Sequence, residues 1–267
     1  MTTICGVALI GAFGLLLPKP YLVVVLIALS VLGVYEFKEM AKGFHLSFFT
    51  VPAIAFLLIG FLSFYLPIQL QYLPFIAFSA VCLWTLYHTN DLKDSMPTLG
   101  INLVGLAYLG SAFFSLIGIY LLENPQGEMI GRKLLLFFFA IVWLGDSAAY
   151  LLGSSFGKHK IAPSISPKKS WEGFFGNLLG NLIATIGAKL WFFPFLNYKD
   201  AVLLAIIVFI FGFFGDLVES SWKRGSGIKD SGTIIPGHGG VLDRVDSIFL
   251  TGPVFFAYFY YMFGLQA

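Results

Sequence analysis

Apolar stretches long enough to cross a hydrocarbon layer of ~30 Å recur along the whole chain, and this constrains the fold more than any single motif. Only 11% of the 267 residues are charged, 58% are hydrophobic and 30 are Phe, which leaves too little polar surface to coat a soluble globule. The spacing predicts spans at about 2–17, 21–37, 47–66, 73–88, 98–122, 134–156, 174–196, 201–222 and 245–265. These runs are continuously apolar instead of alternating, so helices that satisfy their own backbone groups are expected rather than a barrel. The expected fold class is all-α, a polytopic transmembrane helix bundle of about nine spans. No basic residue precedes the first run and Lys19 follows it, so it reads as a retained span and not a secretory signal.

The basic residues give the expected orientation. Loops after the second, fourth, sixth and eighth spans hold Lys38, Lys42, Lys93, Lys158, Lys160, Lys168, Lys169, Lys223, Arg224, Lys229 and Arg244. The opposite loops hold Lys19, Arg132, Lys133 and Lys199, so the rule that cytoplasmic loops are basic puts the N-terminus in the cytoplasm. Lys189 falls inside the seventh span and reads as a side chain reaching an interface. Residues 1–133 read as N-terminal transmembrane helices. Residues 134–267 read as the catalytic region of the same membrane unit, with long cytoplasmic loops at 157–173 and 223–244. A formal charge of +2 gives no case for a nucleic-acid partner, and Cys5 and Cys82 have no metal or disulfide spacing.

Asp146, Asp216 and Glu219 lie inside otherwise apolar spans, where a carboxylate needs a cation, a hydrogen-bond network or a wet cavity. Asp216 and Glu219 share a helix face, and Lys223 is four residues beyond Glu219. An interior Glu219–Lys223 ion pair therefore stands beside metal binding as a reading of Glu219. In KRGSGIKDSGTIIPGHGGVLDRVDS, residues 223–247, glycines free the backbone N–H groups to face an anion and the bases suit phosphate oxygens. Asp243 and Asp246 are three apart beside His238 and Arg244, where a hard cation bridging phosphates can be held; helix capping is the alternative for Asp243. Loop 157–173, GKHKIAPSISPKKSWEG, reads as a rigid anion-binding turn. GSSFGK at 153–158 is one residue short between its glycines and is followed by His159, so it is not a Walker motif.

Residues 220–246, SSWKRGSGIKDSGTIIPGHGGVLDRVD, resemble the signature of the phosphatidate cytidylyltransferases, also called CDP-diacylglycerol synthases. Every fixed position of that pattern is matched, with Trp222 the departure, where an aliphatic residue or Phe is usual. Residues 145–176 resemble the family's other characteristic stretch. The resemblance implies transfer of CMP from CTP to phosphatidic acid, with Mg2+ and room for a second cation. It implies catalytic roles for Asp216, Lys223, His238, Asp243, Arg244 and Asp246. Substrate contacts are implied at Lys168, Lys169, Ser170, Glu172, Arg224, Lys229, Asp230, Gly239 and Gly240, and metal ligation at Asp146, Asp216, Glu219, Asp243 and Asp246. It is compatible with a homodimer in the cytoplasmic membrane of a prokaryote, with the site facing the cytoplasm. A CTP-dependent lipid kinase and an ion-coupled transporter remain the alternative readings.

Overall fold

The computed structural model describes residues 19–66, 72–89, 91–123, 129–232 and 239–262. The expected span at 2–17, with Cys5, and His238 lie outside the described residues. The helices are α1 (Lys19–Gly43), α2 (Thr50–Ser63), α3 (Leu73–His88), α4 (Leu92–Leu121), α5 (Gly131–Phe156), α6 (Trp171–Trp191), α7 (Tyr198–Gly225), α8 (Leu242–Val245) and α9 (Ile248–Met262). Each expected span from the second onward coincides with one of them. The chain is mostly helical, and four of the helices, α1, α4, α5 and α7, are long and apolar enough to cross a membrane. With 14 and 16 residues, α2 and α3 are shorter apolar helices.

The described residues depart from all-helical structure at an isolated bridge between Glu123 and Met129 and at an antiparallel hairpin, β1 (Lys160–Ala162) with β2 (Ser166–Ser170), inside the loop expected to be a rigid anion-binding turn. Lys160 pairs with Ser170 and Ala162 with Ser166, so β2 carries extra residues between the paired positions. Pro167 sits in that bulged stretch, where a missing N–H costs the ladder least.

The fold divides into two compact units, each drawn from separated parts of the chain. The first combines Gly118–Ser220 with the described part of Leu250–Ala267. There α5 and α6 pack with their backbones close together. A Cβ added at Gly173, Gly176 or Gly180 would meet the carbonyl oxygen of Ala149, Ala148 or Leu144 at 3.0, 2.9 or 2.5 Å. Small residues permit this approach, which gives van der Waals contact where lipid supplies no hydrophobic drive between helices. Leu144 and Ile183 point outward from the same helices with 47% and 60% of their surface uncovered, a poor exposure in water and an ordinary one against acyl chains. Lys189 lies over the Tyr198 ring, 4.5 Å from its centre, near the end of α6.

The second unit combines Lys19–Ile117 with Ser221–Phe249. Its buried core includes Phe37, Met40, Phe61, Tyr108, Leu109 and Phe113. The N-terminus of α2 has no cap of its own; instead Asn102 of α4 accepts the Phe49 N–H (3.0 Å) and donates to the Ser47 and Thr98 carbonyls. A buried amide satisfied on both its oxygen and its nitrogen ties α4 to the start of α2 at low cost.

Candidate active site

The first unit carries the sites expected from Asp146 to Glu219. Ser170, buried, is the N-cap of α6 and accepts the Gly173 N–H at 3.2 Å. Glu172 follows in the first helical turn and accepts the His159 backbone N–H at 3.3 Å and its ring Nδ1–H at 2.8 Å. These two residues fasten the hairpin to the helix, so Lys168 and Lys169 are presented on a strand whose end is fixed. Lys168 is exposed, whereas Lys169 turns to Asp216 in an ion pair of 2.8 Å and lies over the Phe213 ring at 5.0 Å. Asp216 also accepts the Ser220 hydroxyl at 3.1 Å. Asp146 accepts from Asn177 (3.2 Å) between α5 and α6, and the Asn181 amide beside it donates to the Ile141 carbonyl (2.9 Å) and accepts the Phe209 N–H (3.2 Å). Glu219 is fully buried.

Hydrogen bonds to its own backbone and to His159 hold the Glu172 carboxyl down at about 2, against an ordinary 4.5. Glu172 precedes the apolar stretch of α6, and about a quarter of its side chain, 25%, is exposed. Because the folded form binds its proton less readily than the unfolded form, this contribution is complete above about pH 4.5 and lost as pH falls toward 2. The expected result is a small difference in thermal midpoint between the parent protein and Glu172→Gln that is constant near neutrality and vanishes between about pH 4.5 and 2. Midpoints followed by acid titration in detergent check it; a difference that persists at pH 2 would contradict it.

The second unit carries the segment after residue 220. Helix α7 ends where Gly227, at φ +78°, lets the Ile228 N–H bond back to the Lys223 carbonyl (2.9 Å). Lys223 is buried and donates to Asp243 Oδ1 at 2.5 Å. The other oxygen, Oδ2, accepts the Ser231 N–H (2.9 Å), the Ser231 hydroxyl (3.0 Å) and the Gly240 N–H (2.8 Å). Burial pushes the Asp243 carboxyl up, but the Lys223 hydrogen bond, the Gly240 N–H, the Lys223 charge and the Ser231 N–H outweigh it and hold it below its ordinary value. Gly239 is required here because its φ is +79° and a Cβ would press on Asp243 Oδ2. Asp246 accepts the Ser247 N–H at 2.7 Å. Arg224, Lys229, Asp230 and Arg244 are exposed around this turn, with Arg224 donating to the Ile228 carbonyl at 3.1 Å. Trp222 packs beside Tyr108 (5.6 Å), Phe249 (6.1 Å) and Phe37 (6.4 Å), so the departure at this position acts in the aromatic packing.

The sequence matches the cytidylyltransferase family over residues 1–262. Curated phosphatidate cytidylyltransferases of Staphylococcus aureus (strain COL) and Staphylococcus saprophyticus are each 38% identical to it. The first match covers 86% of this chain and 88% of that protein, the second 81% and 82%. One from Staphylococcus epidermidis is 42% identical over 57% of this chain and 55% of that protein. This chain belongs to the cytidylyltransferase family.

Among the described residues of this cytidylyltransferase, no three His, Cys, Asp or Glu side chains gather as a ready-made metal cage. The donors present are carboxylate oxygens, and Asp216, 39% exposed, can be approached from solvent. Mg2+ is commonly held by one or two carboxylates together with waters and substrate phosphates, so this donor set fits an ion that arrives with a triphosphate. Asp243 is differently placed, because a cation there competes with Lys223 and with the N–H groups of Ser231 and Gly240.

One residue of the cytidylyltransferase went unnoticed in the sequence. Glu36 of α1 is 4% exposed and accepts the N–H groups of Val241 (2.8 Å) and Leu242 (2.9 Å) and the Ser231 hydroxyl (3.0 Å). The signal that singled out Asp146 and Asp216, a carboxylate at the end of an apolar span, applies equally to Glu36.

Proposed function

We propose that this protein is a phosphatidate cytidylyltransferase, joining a phosphate oxygen of phosphatidic acid to the α-phosphorus of CTP. The α–β anhydride bond breaks, pyrophosphate leaves, and CDP-diacylglycerol is the lipid product. The observation that carries this reading is the folding of the family signature itself. Its Lys223, Ser231, Gly239, Gly240 and Asp243 form one hydrogen-bonded turn with basic side chains displayed around it.

The lipid phosphate is already a nucleophile, so the site has to align two anions and neutralise charge, without a covalent intermediate or a proton-abstracting base. Arg224, Lys229 and Arg244 bind the triphosphate and stabilise departing pyrophosphate, and Gly239 and Gly240 let backbone approach a phosphate closely. Lys168 and Lys169 take the lipid phosphate, on a strand held by Ser170 and Glu172. Lys223 is fixed by Asp243 as a buried positive charge, Asp230 contacts substrate, and His238 either donates to a phosphate or orders the glycine turn. Asp146, Asp216, Glu219, Asp243 and Asp246 are the carboxylates that would hold Mg2+, with or without a second cation, Asp243 in competition with Lys223. When bound, such an ion screens phosphate charge and orients the phosphate oxygens. Nine spans with a cytoplasmic N-terminus place both polar loops on the side where CTP is dissolved, and a phosphatidate head group enters sideways from the bilayer.

The test is incubation of detergent-purified protein with CTP, phosphatidate and Mg2+, with and without chelator. Chelator-sensitive appearance of CDP-diacylglycerol and pyrophosphate in equal amounts is expected. A lipid phosphate with CDP would indicate a kinase, and substrate flux across vesicles without CTP consumption would indicate a transporter.

A further inference from the structure

Glu36 holds backbone it is far from in sequence. Its two oxygens receive three donors from residues 231, 241 and 242, about two hundred positions away, and all of these groups lie in one compact unit. The bonds to Val241 and Leu242 satisfy backbone N–H groups at the start of α8, whose N-cap residue, Val241, supplies no side-chain cap. A buried N–H without a partner is costly, so the Glu36 side chain fixes where α8 begins.

The third bond links Glu36 to the Asp243 carboxylate. The Ser231 hydroxyl lies 3.0 Å from Glu36 Oε2 and 3.0 Å from Asp243 Oδ2, and it accepts the Asp243 N–H at 3.3 Å. One hydroxyl has one proton, so it donates to either carboxylate in turn while remaining between both. Asp243 in turn holds Lys223. The resulting chain runs from Glu36 through Ser231 to Asp243 and Lys223, and a parallel one runs from Glu36 through the backbone of 241–242. Glycine at 240 belongs to this arrangement, since a Cβ there would collide with Ser231 Oγ and the Glu36 carboxylate, and one at Gly232 would come within 2.6 Å of Glu36 Oε1.

We propose that Glu36 is a positioning residue for cytidylyl transfer, setting the Ser231–Asp243–Lys223 chain and the Gly239–Gly240 turn in the geometry that the phosphates require. This rests on the transferase reading given above. An apolar side chain at position 36 would serve helix packing in a hydrophobic core as well, whereas only an acceptor of matching length serves the loop. Glu36→Gln keeps the size and one carbonyl oxygen but turns an N–H2 group toward donors, so it misdirects the loop without opening a cavity.

The experiment compares the parent protein, Glu36→Gln, Ser231→Ala and the double variant in one assay for CDP-diacylglycerol. Each single variant is expected to lower kcat about 10- to 100-fold, as is usual when a side chain supporting a site is lost. KM for phosphatidate should stay within about twofold, because these residues orient the turn and do not bind the lipid tail. The double variant should be scarcely worse than the poorer single one, because both cut the same chain. Hydrogen exchange at the Val241 and Leu242 amides should quicken in Glu36→Gln and remain near the parent rate in Ser231→Ala.

Folded Glu36→Gln with kcat within about twofold of the parent overturns the proposal. So does a loss of activity that merely follows the folded fraction. If Glu36→Gln does not fold, Ser231→Ala decides: parental kcat in that variant overturns the chain through Ser231. A parent protein that makes no CDP-diacylglycerol would instead overturn the transferase reading, leaving the exchange result to report on Glu36 alone.

Discussion

Replacing Asp216 by Asn is expected to lower kcat for CMP transfer about 100-fold or more, with little change in thermal midpoint. The two parts of that expectation have different origins. Asp216 is 39% exposed and its ion pair with Lys169 is correspondingly screened, so the pair contributes no more than about 1 kcal/mol to stability. Asn also keeps an acceptor for the Ser220 hydroxyl, which preserves the local helix geometry. What it removes is a full negative charge that is open to solvent and paired with the Lys169 ammonium, and that under the proposed function would help to hold a phosphate-bound cation. Groups that meet developing or concentrated charge are commonly worth about 100- to 1000-fold in rate. Steady-state turnover beside a detergent melting curve checks both parts. Turnover within about twofold of the parent, in a folded variant, would take Asp216 out of the site.

Asp243→Ala is expected to fail differently, losing both stability and activity. The side chains of Lys223 and Asp243 are 10% and 8% exposed, and removal of Asp243 takes away a counter-ion of Lys223 and the acceptor for Ser231 and Gly240. Breaking a buried pair in this way costs about 3–5 kcal/mol. Because the Asp243 carboxyl is held below its ordinary 3.8, this contribution is complete above that pH and is lost as pH falls through the lowered folded value. The paired change Lys223→Met with Asp243→Leu removes both charges and should recover only the part of the thermal midpoint that the uncompensated Lys223 costs, because the Ser231 and Gly240 donors still lack their acceptor, and turnover stays absent. An Asp243→Ala protein that melts like the parent would contradict the buried-pair account; a double variant that regained turnover would contradict the role in catalysis.

The helices were legible because lipid solvation leaves a long, uninterrupted apolar record in the sequence. Helix ends were less so. The run near residue 98 gave no sign that α4 begins at Leu92, where the Asp91 carboxylate accepts the Lys93 N–H at 3.0 Å and adds a polar turn ahead of Pro97. The hairpin within 157–173 left no alternating pattern, because its strands have three and five residues and are fixed chiefly at their ends by Glu172 and Ser170.

The site was legible as residue types and only partly as contacts. Spacing of four along a helix suggested Glu219 as the local partner for Lys223, but the turn after Gly225 also brings Asp243 to it from twenty residues away. Ser170 and Glu172 were read among substrate contacts, and their bonds to Gly173 and His159 give them the task of holding the lysine-bearing strand. Glu36 lies at the end of an apolar run with Lys38, Glu39 and Lys42 close behind it, so its charge does not stand apart in the sequence. Its burial depends on a loop two hundred residues later, which no local pattern reveals.

The most direct test of the central claim follows the phosphorus atoms of CTP. Purified protein is supplied with phosphatidate, Mg2+ and CTP labelled either at the α- or at the γ-phosphate. Cytidylyl transfer requires the α label to appear in the lipid fraction and the γ label in pyrophosphate, both suppressed by chelator. Appearance of the γ label in lipid, with the α label left in soluble CDP, would contradict the account.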